Sequence, residues 1–427
     1  MISQNQSGNL KKKIIFTLSL LFLYRIGSFI PVPGVDSQVL KSSLGNSDLF
    51  GFMNTFSGGS LQNFSIFAVG IMPYITASII IQLLQINLSP ALKELSEQGA
   101  KGQEKIKNIT RIGALGIALI QSIALSLGFN NMFPGLIPDP SLGTYALIAV
   151  TLTVGTGILL VMGELITNKG LGNGISVIIF SGILAGFPNA LQQFYSLEFQ
   201  NLSDGTFYPI AKLIIIALVV VLMTLVIIYI QESYRRIPIH YSKRSTVDIF
   251  STAEATFIPI KINTAGVIPV IFAVAIMMAP VTIARFFPQN TIAIWVTNNL
   301  NYTQPIGMTI YSILIMAFAY FYAFVQVNPK KMADDMQKNS GYVPGVRPGE
   351  KTKIYITHVL KHITFVGALF LTAVSILPLI ITLLSSMPQQ LMIGGPTLII
   401  VVGVALDISK HIKQHKVKRG YKGFMNF

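Results

Sequence analysis

The chain has 427 residues, 52% of them hydrophobic and only 11% charged, with 31 Lys and Arg against 16 Asp and Glu and no Cys. The absent cysteines exclude a disulfide framework, thiolate catalysis and Cys-ligated metal. The net charge of +15 does not make this a nucleic-acid binder, because no basic stretch carries the interleaved aromatics of a single-strand platform.

Taken in chain order, the apolar residues gather in runs of about 18 to 25, the length a helix needs to cross a bilayer. The runs begin near Ile14, Phe64, Ile112, Tyr145, Gly174, Leu213, Ala265, Ile306, Ile363 and Leu391. Arg25 interrupts the first, which leaves through Phe29-Ile30-Pro31-Val32-Pro33-Gly34 without a small-residue cleavage site, so it is expected to be retained and not removed as a signal peptide. Between the first and second runs, the Gly-rich segment 50–60 is too short to span and too apolar for a plain loop. That is the pattern of a re-entrant helix, tolerated only where protein or an aqueous cavity surrounds it.

The second run holds Gly70 and Pro73, and the seventh holds Gly266, Pro269 and Pro280 with Asn263 at its inner end, so both are expected to be loosened or broken. Each is the second member of a set of five. Five is odd, so the two sets run in opposite directions, and broken segments at matching places in inverted halves point to a site between them. Proline kinks also occur in ordinary membrane helices.

Ten spans return the chain to the side from which it started. All but four of the 31 Lys and Arg then fall on that side, the exceptions being Arg25, Lys41, Lys212 and Arg285. Basic loops stay inside, so both termini are expected in the cytoplasm, where those loops also meet anionic lipid heads. Two inward loops, 231–262 and 328–354, are much longer than most of the outward connections, which suits a docking surface for a cytosolic partner.

Enzyme chemistry finds little footing. The histidines His240, His358, His362, His411 and His415 lie in loops and flanks without a His-Glu-x-x-His pattern, and Gly170-Leu171-Gly172-Asn173-Gly174 lacks the Lys-Ser/Thr of a phosphate loop. No metal or other cofactor is implied. A secondary solute transporter remains the alternative from another class, since inverted halves with broken helices are common there. Such proteins generally carry an ionisable residue at mid-membrane, whereas Arg25, Glu164 and Asp407 sit near span ends or in the first span.

Several motifs resemble one family from end to end. They are Arg25-Ile26-Gly27-Ser28-Phe29-Ile30-Pro31-Val32-Pro33-Gly34, Phe56-Ser57-Gly58-Gly59, the stretch 65–79 with Gly70-Ile71-Met72-Pro73-Tyr74 at its centre, Gly172-Asn173-Gly174-Ile175-Ser176, Ala265-Gly266-Val267-Ile268-Pro269, and Tyr342-Val343-Pro344-Gly345-Val346-Arg347-Pro348-Gly349-Glu350. Together they are similar to SecY, the channel subunit of the bacterial and plastid protein-export translocon. The resemblance implies an all-α integral membrane protein. Its ten transmembrane helices form two inverted five-helix halves, 1–192 and 193–427, around an hourglass pore with a short re-entrant plug helix.

Position by position, the resemblance places a pore ring at Ile71, Ile75, Ile175, Ile179, Ile271 and Ile400. Branched, rotamer-restricted isoleucine makes a collar that offers a passing chain no hydrogen bonds and excludes water by dewetting. The plug is implied at Phe50, Gly51, Phe52, Met53, Asn54, Thr55, Phe56, Ser57, Gly58, Gly59 and Ser60, and a lateral gate involving Thr76, Gln121 and Asn263. Polar pairs across membrane helices contribute about 0.6 to 2 kcal/mol, which suits a seam meant to open and equally suits packing glue.

Docking of a SecA motor ATPase or a ribosome is implied at Arg347, held outward by Pro344, Gly345, Pro348 and Gly349, and at Arg235, Arg236, Lys243 and Arg244. SecE and SecG subunits and signal-bearing polypeptide clients complete the implied partners. The expected location is a bacterial plasma membrane or a plastid thylakoid. Where many relatives have Gly-Arg-Arg-Lys, this chain reads Gly102-Gln103-Glu104-Lys105, and Val247, Asp248 and Ile249 replace a further basic pair. Those losses weaken the inference of ribosome affinity and leave room for a specialised second-copy translocon with a restricted client set.

Overall fold

The computed structural model describes residues 7–43, 54, 57–85, 90–198, 207–241, 257–285, 290–301, 304–385 and 395–424. Helices dominate them. The ten apolar runs fall on α1 (Ser7–Gly27), α3 (Met72–Leu83), α5 (Ala100–Met132), α6 (Leu142–Lys169), α7 (Gly174–Glu198), α8 (Phe207–Glu232), α9 (Ile268–Arg285), α11 (Pro305–Gln326), α13 (Glu350–Ser385) and α14 (Gly395–Phe424). Shorter helices α2 (Ser37–Ser43), α4 (Pro90–Glu97), α10 (Thr291–Asn299) and α12 (Pro329–Lys338) lie between them.

By length and composition, five helical stretches among the described residues can cross a membrane: Lys101–Met132, Leu142–Lys169, Leu213–Glu232, Pro305–Lys338 and Glu350–Ile381. On α8, Ile214, Ile215, Leu218, Val221, Leu222 and Leu225 are all exposed, a surface that only lipid or another apolar chain accommodates.

The second run departs from the expected start near Phe64. Residues 57–71 fold as successive turns, with Phe64 at φ 40° and Gly70 at φ 64°, and helix α3 begins only at Met72. Two forces account for this. The segment finds partners in the exit from α1, where Val32 N donates to Phe64 O at 3.0 Å and Ile66 N donates to Ile30 O at 3.1 Å. Pro73 then sits in the first turn of α3, where its missing N–H removes no helical bond. Twelve residues rise only about 18 Å, so α3 by itself is well short of the hydrocarbon layer.

Two sets of helices form. In the first, α5 packs on α3 and α6, α6 on α7, and α1 on α6 and α7; in the second, α11 packs on α9 and α13, and α14 on α8 and α13. The sets meet where α3 touches α9 and α14 touches α7. The division expected at residue 192 falls inside α7, which continues to Glu198.

The two long loops hold strands. β1 (Tyr234–Pro238) pairs antiparallel with β3 (Phe257–Lys261), and β2 (His240–Tyr241) pairs antiparallel with β4 (Gly341–Tyr342) from the other loop. Beneath them Ile237, Ile239, Ile260, Met336, Val343, Ile356 and Leu360 form a separate apolar core. The loops therefore make one platform seated on the N-terminal end of α13.

Candidate pore and docking site

Four helices bring the six isoleucines together. Ile71 caps α3 and Ile75 follows one turn later; Ile175 and Ile179 lie one turn apart at the start of α7; Ile271 lies in the first turn of α9 and Ile400 in the second turn of α14. All belong to one apolar cluster, with Ile71, Ile179 and Ile400 buried and Ile75, Ile175 and Ile271 partly buried. This waist lies between the two helix sets, since α3 and α7 come from one and α9 and α14 from the other.

Local glycines allow the approach. A β-carbon at Gly163 would stand 3.0 Å from Cγ1 of Ile175, so the bare backbone of α6 makes room for that side chain. At the entry to α7, Gly172 takes φ 74°, a left-handed turn that other residues resist. Side chains aimed at one point thus depend on turns that only particular residues form.

Of the residues expected to form a plug, Asn54, Ser57, Gly58, Gly59 and Ser60 are described; Phe50, Gly51, Phe52, Met53, Thr55 and Phe56 lie outside the described residues. Ser57 to Ser60 form turns, and Ser57, Gly58 and Ser60 are buried. Asn54 binds this segment together, its O accepting from Gly59 N at 2.8 Å and its Oδ1 accepting from Gln62 N at 2.9 Å. Two further residues hold it from α1: Tyr24 Oη donates to Ser57 O at 3.1 Å, and Arg25 Nη1 donates to Gly58 O at 2.6 Å. In sequence Arg25 stands out as an interruption of the first span, an ionisable residue within it and the start of a family motif, but nothing there ties it to the 57–60 turn. An arginine inside a span with no acidic residue nearby in sequence was the available signal.

The residues expected at a lateral gate are distributed over three segments. Thr76 on α3 donates to Met72 O at 3.1 Å, while buried Asn263 donates to Gly266 O at 3.2 Å. Gln121 is half-buried on α5. Among the described residues no hydrogen bond joins the three, so each polar group is satisfied within its own segment or stands apart. Glu164 is paired with Arg111 across the α5–α6 contact.

Arg347 is exposed in a turn whose Gly345 and Gly349 take φ 79° and 93°. Its own carbonyl accepts from Thr352 Oγ1 at 3.0 Å, fixing the turn to the first helical turn of α13. On β1, Arg235 and Arg236 are both exposed; the Arg236 guanidinium lies over the rings of Tyr234 and Phe257, at 5.2 and 4.8 Å from their centroids. Lys243 and Arg244 lie outside the described residues. Strand pairing of β2 with β4 puts the Arg347 turn and the arginine strand on one body.

An apolar waist between two sets of membrane helices, with turns seated beside it and a cationic platform at one end, defines a multi-pass membrane protein of channel architecture. The chain belongs to the SecY family, whose model matches residues 65–409. It is 48% identical over 419 residues to the protein translocase subunit SecY of Halalkalibacterium halodurans, covering 98% of this chain and 97% of that one. It is 46% identical to the same subunit of Bacillus subtilis, with equal coverage. In fold it is similar to a structure described as a protein conducting channel, with a TM-score of 0.67 at 16% identity, covering 98% of this chain and 95% of that one. It is also similar to the Sec61 of a canine ribosome-channel complex, with a TM-score of 0.66 at 16% identity and the same coverage.

Proposed function

We propose that the chain is the conducting subunit of a protein-export channel, passing unfolded polypeptide through the isoleucine waist and releasing apolar segments sideways into lipid. The observation that carries this reading is the convergence of Ile71, Ile75, Ile175, Ile179, Ile271 and Ile400 from four helices into one cluster. An unsatisfied peptide group in hydrocarbon costs several kcal/mol, so an extended chain needs a wet route. The route must also close when idle, which a dewetted collar achieves without a bound ligand.

The remaining roles extend this reading. The segment 50–60 serves as the plug, ten spans form two inverted halves, and both termini face the cytoplasm. Thr76, Gln121 and Asn263 border the seam through which signals leave: ten leucine-like residues gain roughly 3 to 6 kcal/mol on entering lipid. The exposed cations Arg235, Arg236 and Arg347 on one platform suit docking of a SecA motor or a ribosome. That a related fold is described in a ribosome-channel complex supports the latter. SecE and SecG are the expected membrane partners, anionic lipids the expected surroundings, and the bacterial relatives support a bacterial plasma membrane.

Crosslinking decides the matter. A photoreactive residue placed at Ile75 or Ile271 should capture a stalled secretory chain in membrane vesicles, whereas one at lipid-exposed Leu218 should not. Equal yields at all three positions would remove the waist from the translocation path.

A further inference from the structure

Tyr24 and Arg25 are consecutive residues of α1 that bind consecutive carbonyls, those of Ser57 and Gly58. Tyr24 is 3% exposed and stacks on Phe67, with ring centroids 5.8 Å apart. Both rings belong to the cluster that contains the six isoleucines. One side chain is therefore shared between the waist and the turn at 57–60.

Arg25 is half-buried near the outer end of its span and makes no ion pair among the described residues. Its described partners are the Gly58 carbonyl and the ring of Phe29, 4.6 Å from the guanidinium carbon. A charge taken out of bulk water demands partners, and here the strongest is a neutral backbone oxygen. Such a bond can be given up when water enters, because water solvates the guanidinium at least as well.

Gly58 fits the seat for steric reasons. A β-carbon there would stand 2.6 Å from Tyr24 Oη and 2.9 Å from Gly182 Cα on α7, and its φ is 66°. The turn is thus held between α1 and α7 at a point that no larger residue could occupy without displacement.

We infer that Tyr24 and Arg25 form the latch of the plug: they hold its Ser57–Gly58 turn while the waist is closed and release it when the waist widens and moves Tyr24. This rests on the plug reading of 50–60 and adds what retains and frees that segment. They are positioning residues, and neither needs to touch the translocated chain.

Ser60 is fully buried beside the latch, so a Ser60→Cys variant of this Cys-free chain reports plug release by maleimide labelling of idle and chain-loaded vesicles. In that background Arg25→Leu should raise idle labelling about tenfold, and Tyr24→Phe, which removes only a hydroxyl, about threefold, in line with charged and neutral hydrogen bonds. Labelling with a stalled chain in place should match the parent in both, since the latch is then already open; general damage to the fold would raise both states. Idle labelling unchanged in both variants, with a normal rise on threading, would overturn the latch and leave the plug. No rise on threading in the parent would overturn both.

Discussion

The waist and the strand-paired platform are each assembled from segments far apart in the chain, by opposite means. The waist uses side chains alone: six isoleucines on four helices meet through apolar contact. The platform uses backbone: His240 is in register with Tyr342 and Tyr241 with Gly341, so two loops are joined by strand pairing over a small core of their own. Apolar contact is non-directional and can part and re-form around a chain of any sequence. Strand pairing fixes register and holds cations at set spacings. A conduit needs the first property and a docking surface needs the second.

The largest effect separating the two regions is expected at Arg347. Arg347→Glu reverses a charge held outward by a glycine turn, and like-charge contact at an interface costs several kcal/mol. Motor-driven export should fall about a hundredfold or more, with idle ion leak unchanged. Export assays alongside conductance measurements in reconstituted vesicles check this, and retained export would detach Arg347 from docking. At the waist the pattern reverses. Ile400, 3% exposed in the closed cluster, replaced as Ile400→Asn buries an amide whose unpaired cost is about 1 to 3 kcal/mol. Wetted states then gain weight by about tenfold or more, raising idle leak and admitting clients with poor signals while motor binding stays normal. Unchanged leak and signal stringency would argue that the collar is ordinary core.

The two regions also differ in how far sequence could reach them. The isoleucines were legible through motifs and one-turn spacing, because apolar burial depends on residue type and face. The start of α3 was not: Phe64 to Ile71 is as apolar as a span, and only the backbone bonds of Phe64 and Ile66 with the 30–32 segment and the left-handed Gly70 turn it out of a helix. In sequence the platform shows only as two long loops, because β2 and β4 have two residues each and lie a hundred residues apart. No periodicity survives in so short a strand. The Tyr24 and Arg25 bonds escaped for a related reason, since their acceptors are backbone carbonyls, which carry no sequence signature.

The smallest expected effect tests whether the platform is one body. Asn328 caps α12, its Oδ1 accepting from Lys330 N and Lys331 N at 3.1 Å each. Losing such a cap costs about 1 kcal/mol, roughly a fivefold change in a local opening equilibrium. Helix α12 contributes Met336 to the platform core and packs on α13, whose first turn anchors Arg347. If the loops share that core, Asn328→Ala should speed hydrogen exchange about fivefold not only in α12 but also at the amides of β2 and β4, with the waist unaffected. Faster exchange confined to α12 would mean that the paired strands stand without it, and the docking cations would then be held by two independent loops.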